Sequence, residues 1–237
     1  MRVLLGSGGI GTEERRSKYG DLISDLFRDS DNVVFIPLAT HDHEGRTARL
    51  KESLGPMGAK FHGLNVNHGV EQILAADGVY MGGGNSFLLN RDLHRYGLIN
   101  ALRDVVKQGM PYLGVSAGSN VACPTMMTTN DMPIVMPPSY EALGIVPFQI
   151  NPHYYPGKIT FFSEGKSNDH FGESRRQRIS EYHQHESIPV LGLWEGSYVE
   201  WDGARGHLMG RARAFFRDSE PMDFEEGALF DGNLAPK

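Results

Sequence analysis

Along the first half of the chain, short apolar runs alternate with longer charged ones of helical period. Arg2 to Leu5 reads as a strand, and a glycine-rich turn leads into the periodic stretch Glu13 to Phe27. Further strands are expected at Asn32 to Leu38, Lys60 to Val66, from Gly78 up to the glycines at 82–84, and Pro111 to Val115. Between them Glu44 to Leu54, Val70 to Ala76 and Leu88 to Gly109 read as helical. A repeated β-α pattern predicts an α/β fold with a doubly wound, mainly parallel sheet whose carboxyl-end loops converge on one crevice. Later, Phe148 to Tyr154 is a strand carrying His153 near its end, Gly172 opens a helix to about His185, and Ile188 to Gly196 is a strand ending at Glu195. From Tyr198 onward, alternation around turn signals predicts antiparallel hairpins that extend the sheet edge, with Gly232 to Lys237 as a loose tail. A single domain over residues 1–237 accommodates all of this.

Composition narrows the function. With 40% hydrophobic and 22% charged residues, the chain reads as an ordinary globular protein. Its net charge of -6 argues against a nucleic-acid partner, because phosphate neutralisation needs a basic surface. One cysteine, Cys123, permits no intrachain disulfide and no cysteine-based zinc site. No apolar stretch approaches the ~20 residues of a membrane span, and the apolar start is too short for a signal peptide. The expectation is a cytoplasmic protein with no membrane partner.

The stretch around which the chemistry gathers is Gly114-Val115-Ser116-Ala117-Gly118. In G-x-S-x-G the serine sits on a sharp strand-to-helix turn, and a Cβ at either glycine would collide with neighbouring backbone. Ser116 is the candidate nucleophile. The glycines ending at Gly84 expose backbone N–H groups at the end of the preceding strand, and with the Ala117 N–H they form a candidate oxyanion hole. His153, stiffened by Pro152, is the candidate general base, and Glu195 stands where a triad acid should orient it. Arg175, in a run of three arginines at a helix start, reads as a solvated face or as part of a carboxylate receptor. Asp131 either holds a substrate ammonium or fixes its own loop, and Cys123 reads as a buried residue on the helix that continues the elbow.

Other motifs compete. Gly6, Gly8 and Gly11 match the dinucleotide fingerprint, but the second strand ends in Pro37-Leu38-Ala39-Thr40, without the acid that would hold a ribose. That turn therefore reads as a flexible βα loop, and no cofactor is expected. His41-Asp42-His43 lacks a well-spaced third ligand and reads as a polar cap on the next helix, so no metal is expected either. An α/β-hydrolase esterase would run serine, acid, histidine along the chain and would need a late base such as His207. A binding module without catalysis is the alternative from another class.

Taken together, Gly82 to Asn85, Gly114 to Thr125, Thr128 to Val135 and Gln149 to His153 resemble peptidase E, the α-aspartyl dipeptidase family that also includes cyanophycinase. The resemblance implies a fold similar to class I glutamine amidotransferases, which is flavodoxin-like. It implies a Ser116, His153, Glu195 triad, oxyanion-hole amides at Gly84 and Ala117, and Arg175 gripping the aspartyl side chain of the substrate. It also implies hydrolysis of Asp-Xaa dipeptides through an acyl-enzyme, with cyanophycinase-like cleavage of β-aspartyl links as the variant within the family. A homodimer is compatible with it. The chain departs from the family pattern at Trp194-Glu195-Gly196, where Pro-Glu-Gly is familiar, and in extra residues between His153 and Gly172.

Overall fold

In the computed structural model, residues 1–8 and 12–237 are described. The parallel core of the larger sheet comprises β1 (Val3–Gly6), β2 (Val33–Ile36), β3 (Phe61–Gly63), β4 (Gly78–Met81) and β5 (Tyr112–Val115). Successive side chains point to opposite faces, and both faces are buried. Leu4, Phe35, Tyr80 and Leu113 pack under α1 (Glu13–Leu26) and α2 (His43–Ser53), joined by Tyr19, Ile23 and Leu50. On the other face, Leu5, Ile36, Val79 and Met81 pack with α3 (Gly69–Leu74), α4 (Ser86–Arg95) and α5 (Leu98–Lys107) through Ile73, Leu89, Leu93, Leu102 and Val106. The expected helix from Leu88 to Gly109 is thus two helices, broken where Gly97 takes φ 68°.

The elbow helix α6 (Ala117–Asn120) is shorter than the pattern suggested, and the chain turns away before Cys123. Next come β6 (Gln149–Tyr154), a hairpin of β7 (Thr160–Ser163) and β8 (Lys166–Asp169), α7 (Arg175–Tyr182) and β9 (Val190–Trp194). The last strands are β10 (Tyr198–Trp201), β11 (Arg205–Met209), β12 (Ala212–Phe215), β13 (Met222–Phe224) and β14 (Leu229–Asp231).

Two sheets divide these strands. The larger runs β14-β11-β10-β1-β5-β4-β2-β3, with β10, β11 and β14 added antiparallel beside β1. The second runs β13-β12-β9-β6, and β6 lies parallel to β9. The crevice therefore does not lie at one rim of one parallel sheet, because the strands that bear His153 and Glu195 belong to the smaller sheet. Pairing with β10 already occupies the open edge of β1, so β6 and β9 build their own layer.

The C-terminal tail is held rather than loose. Leu234 is fully buried, the Lys237 N–H donates to the Leu229 carbonyl at 2.9 Å, and Asp231 accepts from the N–H groups of Asn233 and Ala235. Among the described residues, no helix is long and apolar enough to cross a membrane.

Candidate active site

Ser116 links β5 to α6 with φ 56° and ψ -110°, a conformation that costs a non-glycine residue about 1–3 kcal/mol. Surrounding contacts hold it there. The Ser116 N–H donates to the Gly6 carbonyl at 2.9 Å, and the Ser119 hydroxyl bonds the Gly6 and Gly114 carbonyls at 2.7 and 2.8 Å. The buried Tyr112 hydroxyl donates to the Gly118 carbonyl at 2.7 Å. A Cβ on Gly118 would overlap the Met81 carbonyl, so the close approach of α6 to β4 needs the glycine that the motif supplies.

The candidate base, His153, comes from β6. Its register with β9 shifts between Asn151 and Tyr154, an irregularity that re-aims His153, whose φ is 55°. The Asn130 amide donates to the Pro152 carbonyl at 2.7 Å, and the His153 N–H donates to the Ser7 hydroxyl at 2.7 Å. So held, His153 Nε2 lies 2.8 Å from Ser116 Oγ, and His153 Nδ1 lies 2.5 Å from Glu195 Oε2. The imidazole and the carboxylate are each 42% exposed, so a small substrate can reach them.

Glu195 projects from the tight turn between β9 and β10. The Ser197 N–H donates to the Trp194 carbonyl at 3.0 Å, and the Gly196 N–H donates to the Gly8 carbonyl at 2.8 Å. Trp194 packs edge-on against Tyr154 with ring centroids 4.8 Å apart, and the guanidinium groups of Arg211 and Arg213 lie over its ring. These contacts account for a tryptophan beside the acid.

Gly84 has φ 145°, with its Cβ position blocked by the Ala39 carbonyl, and the adjacent Gly83 lies against the Ser116 side chain. Among the described residues, neither the Gly84 nor the Ala117 N–H donates to a protein acceptor. Such free amides flanking the hydroxyl are what a developing oxyanion requires.

Arg175 opens α7, capped by Ser174. Its guanidinium lies 5.9 Å from the Tyr155 ring centroid, and its buried Nε has no hydrogen-bond partner among the described residues. Burial and the neighbouring charge of Arg178 push its pKa down, partly offset by Tyr155 and Asp131. Asp131 itself is engaged in fixing structure: its Oδ2 accepts from the Ser86 N–H and hydroxyl, each at 2.7 Å, at the start of α4.

Asp42 caps α2 as expected, accepting the Gly45 N–H at 2.9 Å. Cys123 is buried, and burial pushes its thiol well above the ordinary range. His207 lies on β11, lining a separate cavity with Met1 and Trp201, 3.7 Å from Glu200. It does not join Ser116. Gly11, the last glycine of the fingerprint-like turn, lies outside the described residues.

Sequence reasoning missed Ser7. Fully buried, Ser7 accepts the His153 N–H and donates to the Leu193 carbonyl at 2.9 Å, tying the end of β1 to both strands that bear the base and the acid. The dinucleotide-like glycines Gly6 and Gly8 flank this seat, and a Cβ on Gly8 would meet the His153 ring at 2.8 Å. The signal was a small polar residue between two glycines, but its partners were distant in sequence.

A serine on a sharp strand-to-helix turn that meets a histidine-carboxylate pair where two sheets join is the arrangement of a serine hydrolase. The match to peptidase family S51 covers residues 3–209, and the chain belongs to that family. It is 43% identical over 199 residues to peptidase E of Streptomyces coelicolor, spanning 83% of this chain and 79% of that one. It is 41% identical over 196 residues to the Drosophila melanogaster protein named "Probable alpha-aspartyl dipeptidase", spanning 81% of this chain and 79% of that one. The crystal structure of a peptidase from an acI-B1 Actinobacterium superposes with a TM-score of 0.63 at 16% identity, covering 97% of this chain and 96% of that one. That likeness establishes the shared fold.

Proposed function

We propose that this protein is a serine peptidase that removes N-terminal aspartate from Asp-Xaa dipeptides. The observation that carries the reading is the continuous hydrogen-bonded relay from Ser116 Oγ through His153 to Glu195. In this reading His153 takes the Ser116 proton as Oγ attacks the peptide carbonyl, and Glu195 stabilises the imidazolium. The N–H groups of Gly84 and Ala117 receive the oxyanion. His153 then protonates the departing amine, and water, activated by the same imidazole, hydrolyses the acyl-enzyme.

Arg175 selects the substrate. Its planar fork pairs with a carboxylate through two parallel bonds, whereas an asparagine amide leaves the cation uncompensated. The buried Nε, without a partner among the described residues, supports this role, as does the relative named for aspartyl dipeptides. The single cysteine supports a reducing, cytoplasmic setting.

The test is hydrolysis of Asp-Leu beside Asn-Leu and β-Asp-Leu. The wild type is expected to cleave only the first at appreciable rate, and Ser116→Ala to lose on the order of 10⁶-fold in kcat. Arg175→Ala is expected to stay folded and to lose selectivity for Asp over Asn. Equal cleavage of Asp-Leu and Asn-Leu by the wild type would remove the assignment.

A further inference from the structure

The cavity beside Ser116 holds a cation that the proposed triad and Arg175 leave unused. It measures about 400 Å³, and its wall includes Ser116, His153 and Gly84 but not Arg175. Much of the rest is supplied from the α1 and α2 face of the sheet by Phe35, Tyr80, Leu50, Tyr19 and two arginines, Arg46 and Arg49. Arg49 is engaged, 3.1 Å from Asp42. Arg46 has no carboxylate partner among the described residues, and it lies near enough to Tyr19 and Tyr80 for its charge to oppose the upward push of burial on both phenols. Those two hydroxyls are bonded to each other at 2.5 Å, which leaves the guanidinium available to a ligand.

Arg175 lies elsewhere: α7 packs on the smaller sheet through Ile179, and the guanidinium of Arg175 lies beside Tyr155. The scissile carbonyl must sit at Ser116, which lines the same cavity as Arg46. Resting on the dipeptidase reading, with the aspartyl side chain at Arg175, the geometry points to the Arg46 cavity as the seat of the leaving residue. His153, which must protonate the departing amine, lines this cavity. We propose that Arg46 binds the free C-terminal carboxylate of the leaving amino acid, while Phe35, Tyr80 and Leu50 receive its apolar side chain. An exposed carboxylate entering a partly buried apolar cavity needs such a counter-charge, and a peptide extended at this end would place a neutral amide there instead. The enzyme would thus recognise a dipeptide by both of its carboxylates.

The experiment compares Asp-Leu with Asp-leucinamide, which differ only in this carboxylate, in the wild type, Arg46→Met and Arg46→Lys. The wild type is expected to favour the acid by about 10- to 100-fold in kcat/KM, the range for one charge-assisted pair. In Arg46→Met the ratio should fall towards one with the loss concentrated in KM, and Arg46→Lys should recover part of it. Equal turnover of acid and amide by the wild type overturns the proposal without any variant, and leaves the aspartyl assignment standing if Asn-Leu is still refused. A ratio kept by folded Arg46→Met also overturns it. So does loss of Asp-over-Asn selectivity in that variant, which would place the aspartyl side chain at Arg46. No turnover of any Asp-Xaa substrate by the wild type removes both readings together.

Discussion

The Ser7 hydroxyl contacts no candidate catalytic side chain directly, yet it accepts the N–H of the proposed base and donates to the strand that precedes the proposed acid. Replacing it by alanine leaves the His153 N–H without its acceptor at a residue already held at φ 55°. Ser7→Ala is therefore expected to lower kcat about 10- to 100-fold, the scale of a misplacement near 1 Å, with KM for Asp-Leu moving less. Steady-state kinetics check the split, and a change confined to KM would argue for a substrate-binding role instead. At Glu195 the carboxylate is partly exposed, so water can substitute for part of its effect. Glu195→Gln retains the shape and loses the charge, and kcat is expected to fall by up to about 10⁴-fold. The turns that present Ser116 and Glu195 were legible in the sequence because each is a local pattern of turn residues. Ser7 was not, since its partners lie 146 and 186 positions away.

At the scale of elements, the elbow depends on α6 lying close to β4. Gly118→Ala forces a methyl group into the Met81 carbonyl, and overpacking of this kind costs about 1–3 kcal/mol. Thermal unfolding of the variant should show a melting point several degrees lower; an unchanged one would mean that the turn relaxes without loss. The C-terminal turn depends on Asp231, whose pKa is held below its ordinary value of 3.8 mainly by the N–H groups of Asn233 and Ala235. A depressed carboxylate contributes stability above its unfolded pKa and loses it as the pH falls through the folded value. Hydrogen-exchange protection of residues 233–237 is therefore expected to fall on acidification below the ordinary carboxylate range, and Asp231→Asn should flatten that dependence. The hairpins were readable from alternation. Their tying of the tail was not, because Leu234 is a lone apolar residue whose buried site is formed by distant strands.

At the scale of the molecule, the candidate site is a junction between two sheets. Its proposed nucleophile ends a strand of the larger one, and its proposed base and acid end neighbouring strands of the smaller. Cys123 crosses that junction: its thiol donates to the Ser119 carbonyl at 3.4 Å, and its sulfur accepts the Ile150 N–H at 3.1 Å. Buried and with its thiol pKa raised, it is expected to resist alkylation at pH 8 in the native protein and to react only as the two layers part. Alkylation by iodoacetamide along a urea series should follow global unfolding measured by circular dichroism. Modification well before that transition would show that the junction opens on its own.

By itself the sequence determined the alternation of strands and helices, the turn that presents Ser116, the cap at Asp42 and the burial of Cys123. Each of these rests on spacing within a few residues or on the cost of exposing an apolar group. Tertiary structure alone decided that β6 and β9 form a separate layer, that Ser7 seats His153, and that Arg46, but not Arg175, lines the cavity beside Ser116. Strand pairing and the meeting of side chains far apart in the chain depend on which edges are already occupied once the core closes, and no local pattern records that.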